Sequence, residues 1–254
     1  MLLLVRHGQS EANVSGLLLG RADSPLTELG HRQAKLLGEA LALRSPSPSR
    51  LLTSPLRRAR QTGDAIAEAL ANAGRSGGRV EVAVEERFVE LDYGELDGTA
   101  PGDLAPGLWA GWRLDAGWRP PGGETLEEVS ARVVTACEEL ASEAVNHDVV
   151  IVSHVSPIKA AVSWALGGGP EVSWRLSLSV ASITRIATGG LAGAALVSFN
   201  ETAHLDTGPQ ARGPGVAVSR RGRPPGSSAF RPGTRGTVPR RSPARGGFAG
   251  DRVL

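Results

Sequence analysis

The sequence predicts an α/β fold, a three-layer sandwich in which helices cover both faces of a mostly parallel central sheet. Three observations support this prediction. Short apolar runs typical of strands alternate with segments whose apolar residues recur at helical spacing. The run Val149–Val152 is apolar throughout, as expected for a strand buried on both faces. Polar residues directly follow three of the runs, which is where parallel sheets bind their ligands.

The individual elements follow from local patterns along the chain. Leu2–Val5 forms the first strand, and Thr27 caps a helix whose apolar face continues to Leu41. Arg50–Thr53 forms a second strand, after which Ser54 and Pro55 open another helix. The remaining predicted strands are Arg79–Val84, Asp148–Ser153, Ser182–Ala187 and Ala194–Phe199, and the remaining helices are Glu124–Val145 and Pro157 to about Leu166.

One segment, from about 95 to 123, interrupts the alternation of strands and helices. It is rich in Gly, Pro and Trp and has weak periodicity, so we expect a lid-like insertion over the site. Two interpretations are open for Trp109, Trp112 and Trp118. They form either the wall of a substrate pocket or the small core of the insertion itself.

Charge divides the chain at about residue 208. The 254 residues carry a net charge of +2. Residues 208–254 contain ten Arg, no Lys and one acid, Asp251, so they carry about +9 and the preceding residues about −7. This segment is rich in Gly and Pro and has few large apolar side chains, so burial cannot offset the entropy of ordering it. We expect one domain over 1–207 and a disordered tail over 208–254.

The partners of this tail are open. A solvated extension without a partner is the favoured interpretation, and binding of nucleic acid or of an acidic partner is the alternative. No apolar run approaches the roughly 20 residues of a membrane span, and the start of the chain lacks a signal-peptide pattern. We therefore expect a cytoplasmic protein without a membrane partner. The sequence does not indicate an oligomeric state. Cys137 is the only cysteine, which excludes an internal disulfide and a thiolate metal cluster.

Arg6-His7-Gly8 follows the first strand and opens a longer pattern. Alone, this motif indicates no more than an arginine and a surface histidine at the end of a strand. Five ordered blocks that begin with it resemble the signature of the histidine phosphatase superfamily, which includes cofactor-dependent phosphoglycerate mutases. The blocks are Arg6–Asn13, Ser24–Gly30 with Gln33–Ala34, Thr53–Thr62, Glu90–Gly98 and Val152–His154. The resemblance extends from residue 1 to about residue 204.

The resemblance implies phosphoryl transfer through a covalent intermediate on His7. It implies that Arg6 and Arg58 hold the phosphoryl oxygens, since guanidinium groups match phosphate geometry. Arg58 is selected because it directly precedes Ala in the third block. His154 is implied as a further polar group on these oxygens.

Two more residues receive roles from the same resemblance. Glu90, four residues before Gly94, is the candidate proton donor, and general acid work of this kind needs a protonated carboxyl group. The amide of Asn13 can donate to phosphate from the first loop, and an ordinary loop cap is the alternative. No metal and no other cofactor is expected. No carboxylate lies beside either histidine at ligand spacing, and the arginines would repel a cation.

A phosphomonoester phosphatase that acts on a small phosphorylated metabolite is the leading functional hypothesis. A phosphoglycerate mutase and a non-catalytic phospho-ligand binding module of the same fold are the alternatives. Mutases hold a second phosphate with further basic side chains, whereas Lys35 and Lys159 are the only lysines here. Val155 follows the second histidine, where the family usually has Gly, and we expect it to narrow that edge of the phosphate site or to shift the loop.

Overall fold

The structure is a computed structural model that describes residues 1–45, 47–73, 80–191 and 193–206. The predicted tail, 208–254, lies outside the described residues, as does the start of the strand predicted from Arg79. Among the described residues, none of the helices combines the length and the apolar character that crossing a bilayer requires.

A six-stranded sheet passes through the described part of the chain, in the order β3-β2-β4-β1-β5-β6. The strands are β1 (Leu2–Arg6), β2 (Arg50–Thr53), β3 (Val82–Val84), β4 (Val149–Ser153), β5 (Ile183–Gly190) and β6 (Gly193–Glu201). The first four strands are parallel, and β5 and β6 continue the sheet in antiparallel pairing. The prediction of a mostly parallel sheet is confirmed.

Helices cover both faces of this sheet. They are α1 (Glu11–Ser15), α2 (Glu28–Arg44), α3 (Arg57–Asn72), α4 (Pro106–Leu114), α5 (Leu126–Ala144) and α6 (Val155–Ala165). Side chains alternate between the faces of a strand, so Leu2 and Leu4 pack in the cluster of α5 and α6. Leu3 and Val5 pack in the opposite cluster, with α2 and α3. The three predicted layers are therefore present.

Several boundaries differ from those that the sequence predicts. α6 begins at Val155, two residues before the expected start at Pro157, and α3 begins at Arg57 rather than at Ser54-Pro55. Helices α1 and α4 were not predicted, because α1 spans only five residues and α4 lies in the weakly periodic segment. The capped start of α2 at Thr27 is confirmed, since its hydroxyl accepts from the N–H of Gly30 at 3.0 Å.

Close backbone contact fixes the loop that follows β1. A Cβ on Gly8 would lie 2.5 Å from the carbonyl oxygen of Gly30, and a Cβ on Gly30 would overlap the carbonyl oxygen of Gln9. Only glycine allows the two segments to approach so closely. The loop that carries His7 therefore rests directly on the start of α2.

The carboxyl ends of β1 and β4 bring two histidines to one edge of the sheet. The strands are parallel neighbours, with Arg6 in register with Ser153. The N–H of His7 continues the ladder by donating to the carbonyl oxygen of Ser153 at 3.1 Å. His7 and His154 thus follow adjacent strands at the same level.

Candidate active site

His7 lies at this edge with only 3% of its surface exposed. Its Nδ1 is 2.7 Å from the carbonyl oxygen of Gly8, and a carbonyl can only accept, so Nδ1 carries the ring proton. Nε2 of the neutral ring therefore keeps its lone pair. The pKa of His7 is well below the ordinary histidine value, first because of burial and then because of the positive charges of Arg58 and Arg6. A neutral imidazole with a free lone pair has the form that a nucleophile needs.

His154 lies beside His7, with the ring centroids 5.0 Å apart and the planes inclined by 57°. Its Nδ1 accepts a hydrogen bond from Nε of Arg58 at 3.3 Å. The proton of the neutral ring is therefore on Nε2, which donates to Oγ of Ser54 at 2.7 Å. Burial lowers the pKa of His154 well below its ordinary value, and the charge of Arg58 lowers it further. The ring is a neutral donor.

Arg58 is buried, and a polar loop holds its guanidinium group. Nη1 donates to the carbonyl oxygen of Ala22 at 3.0 Å, and Nη2 donates to that of Gly20 at 2.9 Å. The carboxylate of Asp97 accepts from the N–H groups of the same two residues, each at 2.9 Å. Because a guanidinium has five N–H groups, each Nη keeps one N–H for a ligand.

Arg6 has donor capacity that the protein does not use. One Nη donates to the carbonyl oxygen of Leu178, and the buried Nε has no hydrogen-bond partner among the described residues. Burial lowers the pKa of Arg6 to about 10, although the nearby charge of Glu90 opposes this change. A buried donor without a partner is costly, so an anionic oxygen at this edge would be stabilised.

Asn13 acts as a cap in the structure. Its Oδ1 accepts from the backbone N–H of Ser10 at 3.0 Å and from the Ser10 hydroxyl at 3.1 Å, completing a capping box at the start of α1. The structure thus shows Asn13 as a cap, which is the alternative role predicted for it from the sequence. Because the cap uses the oxygen, the amide nitrogen is the end of the side chain that can donate to phosphate, and this role stays a prediction.

The Glu90 carboxylate is buried against the start of α6. It accepts from the backbone N–H groups of Leu91 at 2.8 Å, of Val155 at 3.0 Å and of Ser156 at 3.1 Å. The N-cap residue of this helix, His154, makes no side-chain cap hydrogen bond of its own. Glu90 supplies the cap from a distant segment, which explains why α6 begins earlier than its sequence predicts.

Two residues that the sequence reasoning did not select also hold the site. Ser54 accepts a hydrogen bond from the Nε2–H of His154, and its place inside the third block is the sequence signal that could have identified it. Arg132 of α5 donates to the carbonyl oxygen of Glu90 at 3.4 Å and to Oε1 and Oε2 of Glu124 at 2.8 and 3.0 Å. No sequence signal marked Arg132, because a charged residue on an amphipathic helix usually faces solvent.

A cavity of about 160 Å³ lies beside Glu90. Its walls are formed by Leu91, Tyr93, Trp112, Leu126, Val155, Ser156, Lys159, Ser173 and Trp174. Three of these residues, Leu91, Val155 and Ser156, are the ones whose N–H groups bind the Glu90 carboxylate. The cavity therefore begins where this carboxylate is held.

Trp112 belongs both to the core and to the wall of this cavity. It is 1% exposed and contacts Tyr93 edge-on, with the ring centroids 5.5 Å apart. Trp118 packs against it at 5.2 Å, and the side chain of Trp109 lies outside the described part of the structure. Trp112 thus fits both interpretations of the tryptophans, as part of a core and as part of a pocket wall. That the whole segment 95–123 closes over the site stays a prediction.

Val155 causes no backbone strain. In the described part of the chain, Ala181 and Asn200 are the only non-glycine residues with positive φ. Val155 is the first residue of α6 and lines the cavity. Its N–H donates a hydrogen bond to the carboxylate of Glu90. The departure from glycine therefore shapes the cavity next to Glu90. Among the described residues, no group of three or more His, Cys, Asp or Glu side chains is arranged to hold a metal ion.

Several characterised proteins resemble this chain. A glucosyl-3-phosphoglycerate phosphatase of Mycobacterium tuberculosis is 33% identical over 194 residues, which cover 68% of this chain and 82% of that protein. A bifunctional protein of the same species is 35% identical over 186 residues, or 72% of this chain and 49% of that protein. The chain thus spans about half the length of this relative.

Solved structures of phosphatases also resemble this chain. The mycobacterial glucosyl-3-phosphoglycerate phosphatase in complex with VO3 has a TM-score of 0.70 at 28% identity, covering 79% of this chain and 99% of that one. A phosphoserine phosphatase of Entamoeba histolytica in complex with 3-phosphoglyceric acid has a TM-score of 0.69 at 26% identity, covering 80% and 98%. Residues 2–202 match the family described as histidine phosphatase superfamily (branch 1). The five blocks, the fold and these matches agree, and the chain belongs to the histidine phosphatase superfamily.

Proposed function

We propose that this protein is a phosphomonoester hydrolase that transfers the phosphoryl group of a small metabolite to Nε2 of His7 and then to water. The observation that carries the proposal is the tautomer of His7. Its proton is held on Nδ1 by Gly8, and its unprotonated Nε2 lies in a site with two arginines. The relatives of this chain include a glucosyl-3-phosphoglycerate phosphatase and a phosphoserine phosphatase.

In the first step, the lone pair of Nε2 of His7 attacks phosphorus and the ester P–O bond breaks. The leaving oxygen takes a proton from Glu90, whose carboxyl group we assign as the general acid. Arg6 and Arg58 balance the charge on the phosphoryl oxygens, and the Nε2–H of His154, which donates to Ser54 in the free site, turns to these oxygens when the substrate binds. The buried guanidinium groups are fixed donors, which stabilise the transition state without reorganising.

In the second step, water attacks the phosphohistidine and the P–N bond breaks. Glu90 accepts the proton of this water, so the proton given to the alcohol is recovered and the cycle closes. The electron pair of the P–N bond returns to Nε2 of His7. Orthophosphate leaves, and the neutral ring is restored with its proton still on Nδ1.

A labelled substrate tests this proposal directly. We expect a phosphomonoester with labelled phosphorus, quenched in alkali, to leave acid-labile label on the peptide that contains His7. His7→Ala should abolish the label and lower turnover by several orders of magnitude. His31→Ala is the control, since His31 is exposed on α2, and it should behave like the unaltered protein. Near-normal turnover of His7→Ala would contradict the mechanism.

The two alternative functions give different products in the same assay. A mutase would return the phosphoryl group to a phosphoglycerate isomer, whereas the hydrolase releases orthophosphate. A binding module would release nothing and form no phosphohistidine. Measuring orthophosphate together with the isomer ratio of phosphoglycerate therefore distinguishes all three.

A further inference from the structure

Lys159 is a cation that the described protein residues do not neutralise by direct contact. It lies half-buried on α6, and its ammonium group has no hydrogen-bond or ion-pair partner among the described residues. Burial lowers its pKa, and the charge of Glu90 opposes this change. A half-buried ammonium without an anion in direct contact would be stabilised by an anion that a ligand supplies.

This lysine lines the cavity beside Glu90. Lys159 lies four residues after Val155 and three after Ser156 along α6, so it lies on the same side of the helix as each of them, and all three line the cavity. Lys159 is the only charged residue among the described ones that line the cavity. An anionic group that enters the cavity would therefore meet one positive charge on its walls, that of Lys159, and the Glu90 carboxyl group lies where the cavity begins.

The size and lining of the cavity restrict what it can hold. A volume of about 160 Å³ is close to the roughly 150 Å³ that accommodates a molecule of benzene size. Tyr93, Trp112 and Trp174 supply aromatic surface, whereas Ser156 and Ser173 supply hydroxyl groups. The space fits a compact organic group of about six heavy atoms that carries one anion.

We propose that this cavity receives the alcohol part of the substrate and that Lys159 selects alcohols that carry a carboxylate. The inference rests on the proposed phosphatase function, which makes Glu90 the group that faces the leaving oxygen. A phosphomonoester bound at His7 with its leaving oxygen at Glu90 would direct its carbon skeleton into the cavity. Lys159 is then a specificity-determining residue.

Two substrates of nearly equal shape test this proposal. 3-Phosphoglycerate carries a carboxylate where glycerol 3-phosphate carries a neutral hydroxymethyl group. We expect kcat/KM of the unaltered protein to be at least about 10-fold higher for 3-phosphoglycerate, as for one hydrogen bond to a charged group. In Lys159→Met this ratio should fall to within about two-fold of one, and most of the change should appear in KM for the carboxylated substrate.

Two further variants control the interpretation. Lys159→Arg keeps the charge and should retain a clear preference for 3-phosphoglycerate, which guards against a folding defect of Lys159→Met. Lys35→Met removes the other lysine of the chain, exposed on α2, and should leave the ratio unchanged. An equal loss for both substrates in Lys159→Met would overturn the proposal, because Lys159 would then act on the chemistry or the fold.

The remaining outcomes separate the inference from the proposed function. Equal hydrolysis of both substrates by the unaltered protein would leave the phosphatase proposal standing and overturn the role of Lys159. Hydrolysis of p-nitrophenyl phosphate, with neither three-carbon ester used, would also overturn the inference alone. Failure to release orthophosphate from any of the three esters would overturn both.

Discussion

The Nε–H of Arg58 donates to Nδ1 of His154 across 3.3 Å. An arginine remains protonated at all ordinary pH values, so this contact exists only while Nδ1 of His154 has no proton. The charge of the same arginine also lowers the pKa of His7. One buried cation therefore helps to keep both histidines neutral.

We predict that the two histidines make the fold less stable at acid pH. The pKa values of both histidines are lowered in the folded state. Below about pH 6.5 the two rings therefore bind protons in the unfolded chain but stay neutral in the folded one. The free energy of unfolding should thus fall as pH decreases below 6.5, by up to about 1.4 kcal/mol per pH unit for each histidine. Urea unfolding between pH 7.5 and 5.5 measures this slope.

The control for this prediction is the double variant His7→Asn with His154→Asn, whose stability should depend less steeply on pH. His31→Asn removes an exposed histidine and should keep the original slope. If the double variant loses stability as steeply as the unaltered protein, the acid sensitivity arises elsewhere.

We predict that Arg58→Lys lowers kcat/KM by about 100-fold or more and lowers the melting temperature. One ammonium group cannot reproduce the contacts that the guanidinium makes with His154, Gly20 and Ala22. Steady-state kinetics and thermal unfolding test both effects. Arg60→Lys is the matched control, because Arg60 is exposed on the same helix, and unchanged kinetics are expected there. If the two variants had the same kcat/KM and melting temperature, the guanidinium group of Arg58 would not be required.

We predict that Glu90→Gln slows the hydrolysis of esters with poor leaving groups more than that of esters with good leaving groups. Glycerol 3-phosphate needs a proton on its leaving oxygen, whereas p-nitrophenolate leaves without one. The variant should lose about 100-fold or more in kcat on glycerol 3-phosphate and much less on p-nitrophenyl phosphate. Glu95→Gln, at an exposed position, should affect neither substrate. A uniform loss on both esters would assign Glu90 to structure, as the cap of α6, rather than to proton transfer.

We predict that activity does not depend on a divalent metal. Arg6, Arg58 and His154 supply the donors that neutralise the phosphoryl group in the proposed mechanism. Turnover measured after dialysis against EDTA should match turnover before it. A loss that Mg²⁺, Mn²⁺ or Zn²⁺ restores would reopen a metal-assisted mechanism.

We predict that truncation after Thr207 leaves the fold and the turnover of small esters unchanged. The last described turn ends before this point, and its His204 contacts the carbonyl oxygen of Ala181 at 2.9 Å. Truncation after Thr202 also removes Leu205, which packs against the core, and should lower the melting temperature. The charge of the shorter chain should reverse from +2 to about −7, which isoelectric focusing detects. Unfolding on truncation after Thr207 would place the domain boundary later.

The order and type of the long elements could be predicted from sequence because each follows from a local pattern. The strand β2, Arg50–Thr53, and the cap at Thr27 are examples. The start of α6 could not be predicted, because its cap is the carboxylate of Glu90, 65 residues earlier in the chain. Arg132 was missed for the same reason. Its partners lie on another segment, and local spacing carries no information about them.

The pairing of β1 with β4 has a consequence for how this enzyme family can change. Neighbouring strands lie about 4.8 Å apart, and the two histidine rings that follow them are separated by 5.0 Å. Main-chain hydrogen bonds of the sheet thus set the distance between the two rings, across which the proposed mechanism holds phosphorus. The cavity depends instead on Trp112 and Trp174, from segments outside the sheet. If the cavity receives the leaving group as proposed, substitutions in those segments can change the preferred substrate while the spacing of the two histidines is inherited unchanged.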